Sequence, residues 1–288
     1  MNAKKKLITA MSIFGTVGIF VRYLSLPSAA IAFCRGLLGF LFLLAIMLLK
    51  GKKPAFSMVA KKLPLLFLSG IALGGNWILL FEAYRYTTVA TATVCYYLAP
   101  LFVLLVSPLF KERLTAKKIL CIAVAFIGLI CVSGITPASL PTSAELQGIL
   151  LGVGAAILYA AVVLLNKGLS TVPSYDRTVC QLGLSALIIL PYLLISEDPI
   201  VLPLPAESIW LLLVLGIVHT GIAYILYFGS IKDLPTQTTA LLSYLDPAIA
   251  IILSSFLFRE IPSIPQVLGS ILILGSAIYS DLPSKKAA

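Results

Sequence analysis

Charged residues are scarce in this sequence, at 11%, while hydrophobic residues make up 60% and the mean hydropathy is +1.08. A soluble domain carries about 25% charged residues, so the scarcity excludes a water-soluble globular protein and leaves a chain that spans a bilayer many times. Histidine occurs once, as His219, which excludes a histidine-based metal cluster. The five cysteines (34, 95, 121, 131 and 180) all fall in apolar runs and form no CxxC pair, so they read as small hydrophobes. Signatures of nucleotide binding and hydrolysis (GxSxG, GxGxxG, HExxH, the Walker loop) are missing. The connections between apolar runs are too short to carry a soluble site. The expectation is a protein that is not an enzyme and needs no cofactor or metal.

What is present comes twice. Tyr97-Leu98-Ala99-Pro100 runs on to Leu109-Phe110-Lys111-Glu112, and Tyr244-Leu245-Asp246-Pro247 runs on to Leu257-Phe258-Arg259-Glu260. Phe81/Phe228, Thr91/Thr238, Tyr97/Tyr244, Pro100/Pro247 and Ser107/Ser254 match at an offset of 147, and Leu109/Leu257, Phe110/Phe258 and Glu112/Glu260 at 148. A duplication of about half the chain is implied. The division expected is residues 1–138 for the first repeat and 139–288 for the second.

Apolar runs of about 20 residues, the length that crosses a bilayer, read as spans near 7–25, 28–49, 63–83, 90–109, 115–133, 145–165, 177–195, 207–229, 236–258 and 263–280. The first run is longer than the apolar core of a signal peptide and a second span follows at once, so it is expected to be a retained helix. Five spans per copy is an odd number, so the second copy enters the membrane from the opposite side: an all-α integral membrane fold of ten transmembrane helices in two inverted-topology repeats. With the N-terminus inside, seventeen Lys and Arg fall in cytoplasmic segments. Three, Arg22, Arg85 and Arg259, fall outside, and Arg35 lies within a span. That asymmetry predicts both termini in the cytoplasm, in the cell membrane. It also accounts for the net charge of +10 through loops facing anionic lipid, with no nucleic-acid partner.

Polar groups inside spans are costly and tend to line a pathway. Asp246 lies near the middle of the ninth span, where an acid costs about 2.5–3.5 kcal/mol on insertion scales. It reads either as a carboxyl that fills a kink or as a substrate or proton site, one group that an amine and a proton would contest. Pro100 and Pro247 interrupt equivalent helices, as hinges or as packing kinks, and paired interruptions point to a transporter's central site. Tyr97 and Tyr244 stand three residues before the prolines. Asn76 and Trp77 match Ala223 and Tyr224 at the repeat offset. Helical spacing places His219, Ala223 and Tyr227 on one face of the eighth span beside Tyr224, and Tyr159 adds a hydroxyl from the sixth. The set expected around a substrate cavity is therefore Asn76, Trp77, Tyr97, Tyr159, His219, Tyr224, Tyr227, Tyr244 and Asp246. Arg35 either snorkels or meets an anionic group. Glu82 pairs with Arg85 at the end of the third span, and Glu112 and Glu260 anchor helix ends.

These residues resemble the drug/metabolite transporter superfamily, in its ten-helix EamA branch. The resemblance covers nearly the whole chain twice. It rests on the Tyr-Leu-x-Pro element with Glu112 or Glu260 beyond it, and on Arg35-Gly36-Leu37-Leu38, with Gln181 near the matching place. Gly128 and Gly269 echo the glycine-rich fifth and tenth helices, while Cys121 and Ser276 depart from that pattern. The resemblance implies a carrier of small metabolites, often an exporter of amino acids, working without ATP hydrolysis in the lipid bilayer. The first four helices of each repeat would form the cavity, and a monomer would suffice. Aromatic amino acid exporters are the nearest analogy, and a lipid-carrier flippase or a proton-coupled amine exporter the alternatives.

Overall fold

The computed structural model describes residues 2–51, 55–87, 89–106, 108, 115–133, 141–195, 204–257 and 263–281. Every regular element among them is helical: α1 (Ala3–Gly15), α2 (Val17–Arg22), α3 (Ser28–Leu49), α4 (Phe56–Lys61), α5 (Leu63–Tyr86), α6 (Val89–Tyr96), α7 (Ala99–Val106), α8 (Ala116–Ser133), α9 (Ser143–Gly168), α10 (Ser174–Ile195), α11 (Ala206–Gly216), a π segment (Ile217–Ile222), α12 (Ala223–Ile231), α13 (Thr236–Leu242), α14 (Leu245–Leu257) and α15 (Ile264–Asp281). Five rods are long and apolar enough to cross a membrane, among them Leu63–Tyr86, Ser143–Gly168 and Ala206–Ile231. The others are shorter or broken by a local feature of sequence.

The breaks have identifiable causes. Pro100 and Pro247 have no backbone N–H, so neither can bond to the carbonyl four residues before, and each ring crowds that turn. The helix therefore stops at Tyr96 and at Leu242, and restarts at Ala99 and Leu245 with the proline in its first turn. At the first break the Leu98 carbonyl receives both Leu101 N (2.9 Å) and Phe102 N (3.0 Å). The Tyr97 carbonyl is thereby left free for a partner elsewhere. In the eighth rod, side chains serve carbonyls five residues back: Thr220 Oγ1 donates to Leu215 O at 2.9 Å, and His219 Nδ1 lies 3.3 Å from Val214 O. Such π-bulges are frequent at functional sites.

Packing follows the duplication. Helix α1 packs on α12 and α14, as its counterpart α9 packs on α5, α6 and α7. Helix α3 packs on α11 and the π segment, as α10 packs on α5. Helices α3 with α10 and α8 with α15 meet their own counterparts, and α7, the second half of the fourth span, meets α13, the first half of the ninth. The result is two bundles, each drawing on both repeats: α1–α3 with α11–α14, and α5–α7 with α9 and α10. The α8/α15 pair stands beside them, in very close approach: a Cβ on Gly128 would lie 2.7 Å from Gly269 O. Cys121 and Ser276, which depart from the small-residue pattern, are both buried without opening this contact.

One end of the molecule carries Lys50, Lys61, Lys62, Lys117, Lys118, Lys167 and Lys232, and is called the basic end below. The calls on Lys111, Glu112, Arg259 and Glu260 lie outside the described residues. Leu48, Leu105, Ile127, Leu187, Leu194 and Ile271 are exposed around the rods, as expected where hydrocarbon replaces water.

Candidate functional site

A cavity of about 460 Å³ lies between the two bundles. Its floor is at mid-depth, at Tyr97, Pro100, Tyr159, Ser243 and Asp246. Its walls rise away from the basic end, past Val17, Gly18 and Val21 of the first rod, Ile31 and Arg35 of α3, Leu80, Phe81 and Tyr84 of α5, and Thr93 and Tyr96 of α6. Trp77 and Tyr224 complete it, their rings edge to face with centroids 6.1 Å apart. Most of the wall is apolar, and a few convergent polar groups are set into it, the usual constitution of a small-molecule site.

Two of those groups carry opposite charge. Arg35 stands over the Trp77 ring at 5.3 Å and donates through Nε to Thr220 Oγ1 at 3.3 Å. A cation–π contact and one hydrogen bond fix the plane of the guanidinium, leaving its terminal nitrogens to meet an anion. Asp246 sits in the first turn of α14, just before Pro247, and shares the cavity floor with Tyr97. Helix α1 reaches this turn because residue 15 is glycine: a Cβ there would lie 2.8 Å from Asp246 O.

The expected residues separate into three places. Trp77, Tyr97, Tyr159, Tyr224, Asp246, Arg35 and Pro100 line the cavity. A second layer stands behind them. Asn76 is buried and donates to Ala155 O at 3.0 Å, Tyr227 holds the Tyr159 hydroxyl at 2.6 Å, and Tyr244 donates to Tyr97 O at 3.0 Å. Pro247 shapes the break without lining the space. Elsewhere, Glu82 accepts from Arg85 at 3.3 Å and from Tyr192, away from the cavity. His219 is a correction: it lines a separate groove with Thr9, Ser12, Ile13 and Thr16. There its Nε2 is 2.7 Å from Thr16 Oγ1 and its ring 4.7 Å from that of Phe20. The π segment inserts an extra residue into the turn, so spacing of four no longer carries His219 onto the face of Tyr224.

Most of the apolar wall escaped sequence reasoning, and so did the polar lining residues Tyr84, Thr93, Tyr96 and Ser243. Tyr84 follows Trp77 and Phe81 at steps of seven and three, a helical stripe that could have been read. Tyr96 and Thr93 sit four and seven residues before Pro100, on the face the proline itself marks.

Side-chain bonds between the bundles run from mid-depth to the basic end. Besides Tyr159 with Tyr227 and Tyr244 with Tyr97, Arg177 donates to Phe228 O (2.5 Å), Tyr175 to Leu43 O (2.5 Å), and Lys167 to Leu234 O. Arg177, at the start of the span 177–195, is fully buried and also donates to Asn166 O and Leu169 O, both at 3.1 Å. It binds carbonyls at the end of α9, in the turn after it and in the last turns of α12, where the helix dipole favours a cation. The cavity is thus sealed toward the basic end and extends toward the other.

The EamA-like transporter family matches the chain twice, over residues 6–134 and 146–280. The uncharacterized transporter YxxF of Bacillus subtilis is 33% identical over 93% of this chain and 86% of its own length. An uncharacterized transporter of Archaeoglobus fulgidus is 27% identical over 95% of this chain and 94% of its own. One solved crystal structure, 22% identical, superposes with a TM-score of 0.85 over 97% of both chains and shows the same fold. With the duplicated helices, the cavity between unlike bundles and these relatives together, the chain belongs to the EamA-like transporter family of multi-pass membrane proteins that carry small molecules.

Proposed function

We propose that the protein is a secondary, non-enzymatic carrier that moves amino acids, or metabolites of the same zwitterionic class, outward across the cell membrane by alternating access, with both termini in the cytoplasm. The observation that carries this reading is the pairing of Arg35 and Asp246 in one aromatic cavity. A carboxylate docks on the guanidinium in a charge-assisted, bidentate bond, an ammonium meets the Asp246 carboxyl, and the tyrosine rings take the side chain. A volume of about 460 Å³ admits an amino acid of any size with some water. The basic end is the cytoplasmic one by the charge asymmetry, so the conformation described is open outward, and the bonds at the basic end are those that break when the cavity turns inward.

Purified protein in liposomes tests this. Saturable counterflow of a labelled neutral amino acid, absent from liposomes lacking protein, supports the carrier. Lipid scrambling without amino acid counterflow would replace it with a flippase. Labelling of Lys117→Cys by an impermeant reagent from outside intact cells would overturn the orientation.

A further inference from the structure

Tyr244 and Tyr97 are counterparts in the two repeats, and they are bonded to each other: the Tyr244 hydroxyl donates to the Tyr97 carbonyl at 3.0 Å, across exactly one repeat length of 147 residues. Their rings lie 6.3 Å apart. The bond is one-sided, because a phenol of the second repeat takes a carbonyl of the first. The Tyr97 carbonyl is available since Pro100 ended its helix, and Pro247 stands in the same relation to Tyr244. The Tyr97 side chain meanwhile lines the same cavity as Asp246, a group with no counterpart in the first repeat, where Ala99 stands.

Inverted repeats related by an axis in the membrane plane can exchange conformations, each half adopting the arrangement the other had. Applied to this pair, the exchange has a definite content. We propose that Tyr97 and Tyr244 are positioning residues that swap roles during transport. With the basic end closed, Tyr244 donates to the Tyr97 carbonyl while Tyr97 holds Asp246. With the basic end open, Tyr97 donates to the Tyr244 carbonyl and Asp246 is released. The inference rests on the alternating-access reading and deepens it, since the hydrogen bonding of the charged residue in the cavity then depends on which side is open. An ammonium bound at Asp246 competes with the Tyr97 phenol for the same carboxyl, so bound substrate frees Tyr97 to make the alternative bond. That differential interaction with two states is what a ligand needs in order to shift them.

The test uses full-length protein in liposomes of known orientation, with the native cysteines replaced and one reporter cysteine at a time. The reporters are at repeat counterparts, Thr93→Cys in the cavity wall and Ala240→Cys in the buried half of α13. Impermeant thiol reagent is added to either face. Tyr244→Phe removes the present bond and should raise labelling of Ala240→Cys from the basic face relative to Thr93→Cys from the other, by roughly three- to tenfold, the ratio one net hydrogen bond carries. Tyr97→Phe should move the same ratio in the opposite direction. Movement of both variants in one direction, or of neither, overturns the exchange, because a packing role has no reason to change sign. If the unsubstituted tyrosine protein labels from one face only, with and without saturating amino acid, alternating access itself fails and the exchange with it.

Discussion

Helices α6–α7 and α13–α14 are copies of one element, and they differ where the chemistry lies. Both stop just before the break, at Tyr96 and Leu242, and both restart with proline in the first turn. Between tyrosine and proline the first copy has Ala99, 1% exposed and inert in the cavity wall, and the second has the acid Asp246, half-buried. Duplication supplies two matching half-sites around the cavity, and a single acid on one of them removes the symmetry. Arg35 does the same from α3, since Leu182 stands at the matching place in the second repeat. In the proposed carrier a symmetric scaffold would let the cavity face either side, while the unlike residues Arg35 and Asp246 would give the substrate one orientation.

Breaking the charge asymmetry should have the largest effect. Asp246→Asn keeps size and hydrogen bonding but fixes the charge at zero. Amino acid counterflow should fall about tenfold to a hundredfold, the range for losing a hydrogen bond to a charged group. Carrying the acid to the other copy, as Ala99→Asp with Asp246→Asn, should recover part of that rate if the half-sites are equivalent.

Next comes the contact that lets α1 reach only the second copy. Gly15→Ala sets a methyl 2.8 Å from Asp246 O and 3.0 Å from Ile249 Cβ. Overpacking of this kind costs about 1–3 kcal/mol, so substrate affinity in an equilibrium binding assay should weaken several-fold. Gly128→Ala, equally tight but on the α8/α15 pair, should lower the melting midpoint and leave substrate affinity unchanged.

Arg177→Met strips three bonds from carbonyls at the closed end. Each buried carbonyl left without a partner costs about 1–3 kcal/mol, so the melting midpoint of purified protein should drop, and less in the presence of saturating substrate. Tyr159→Phe removes a single hydroxyl bond to Tyr227 and should change counterflow least, by about threefold.

Much of this was legible in the sequence because a repeat can be checked by subtraction. The offset of 147 located the interrupted helices, and polar residues inside apolar runs marked Arg35, Trp77, Tyr97, Tyr159, Tyr224 and Asp246. Depth within the bundle was not legible. Tyr227 and Tyr244 satisfy the same periodicity as lining residues but stand one layer behind, because spacing gives a face of a helix and not its distance from a cavity. His219 was misplaced for a different reason: a π insertion changes the residues per turn, and nothing in Ile217-Val218-His219-Thr220 announces it. The burial of Arg177 at the start of its span was not legible either, since its partners are carbonyls, which leave no trace in sequence.

The central claim is that Arg35 and Asp246 bind the two ends of one zwitterion. Equilibrium binding to the purified transporter of an amino acid, its decarboxylated amine and its deaminated acid tests it most directly. The account predicts that the amino acid binds at least about tenfold more tightly than either analogue, that Asp246→Asn removes the advantage over the acid, and that Arg35→Gln removes the advantage over the amine. Binding of the amine as tight as that of the amino acid, unaltered by Arg35→Gln, would contradict it.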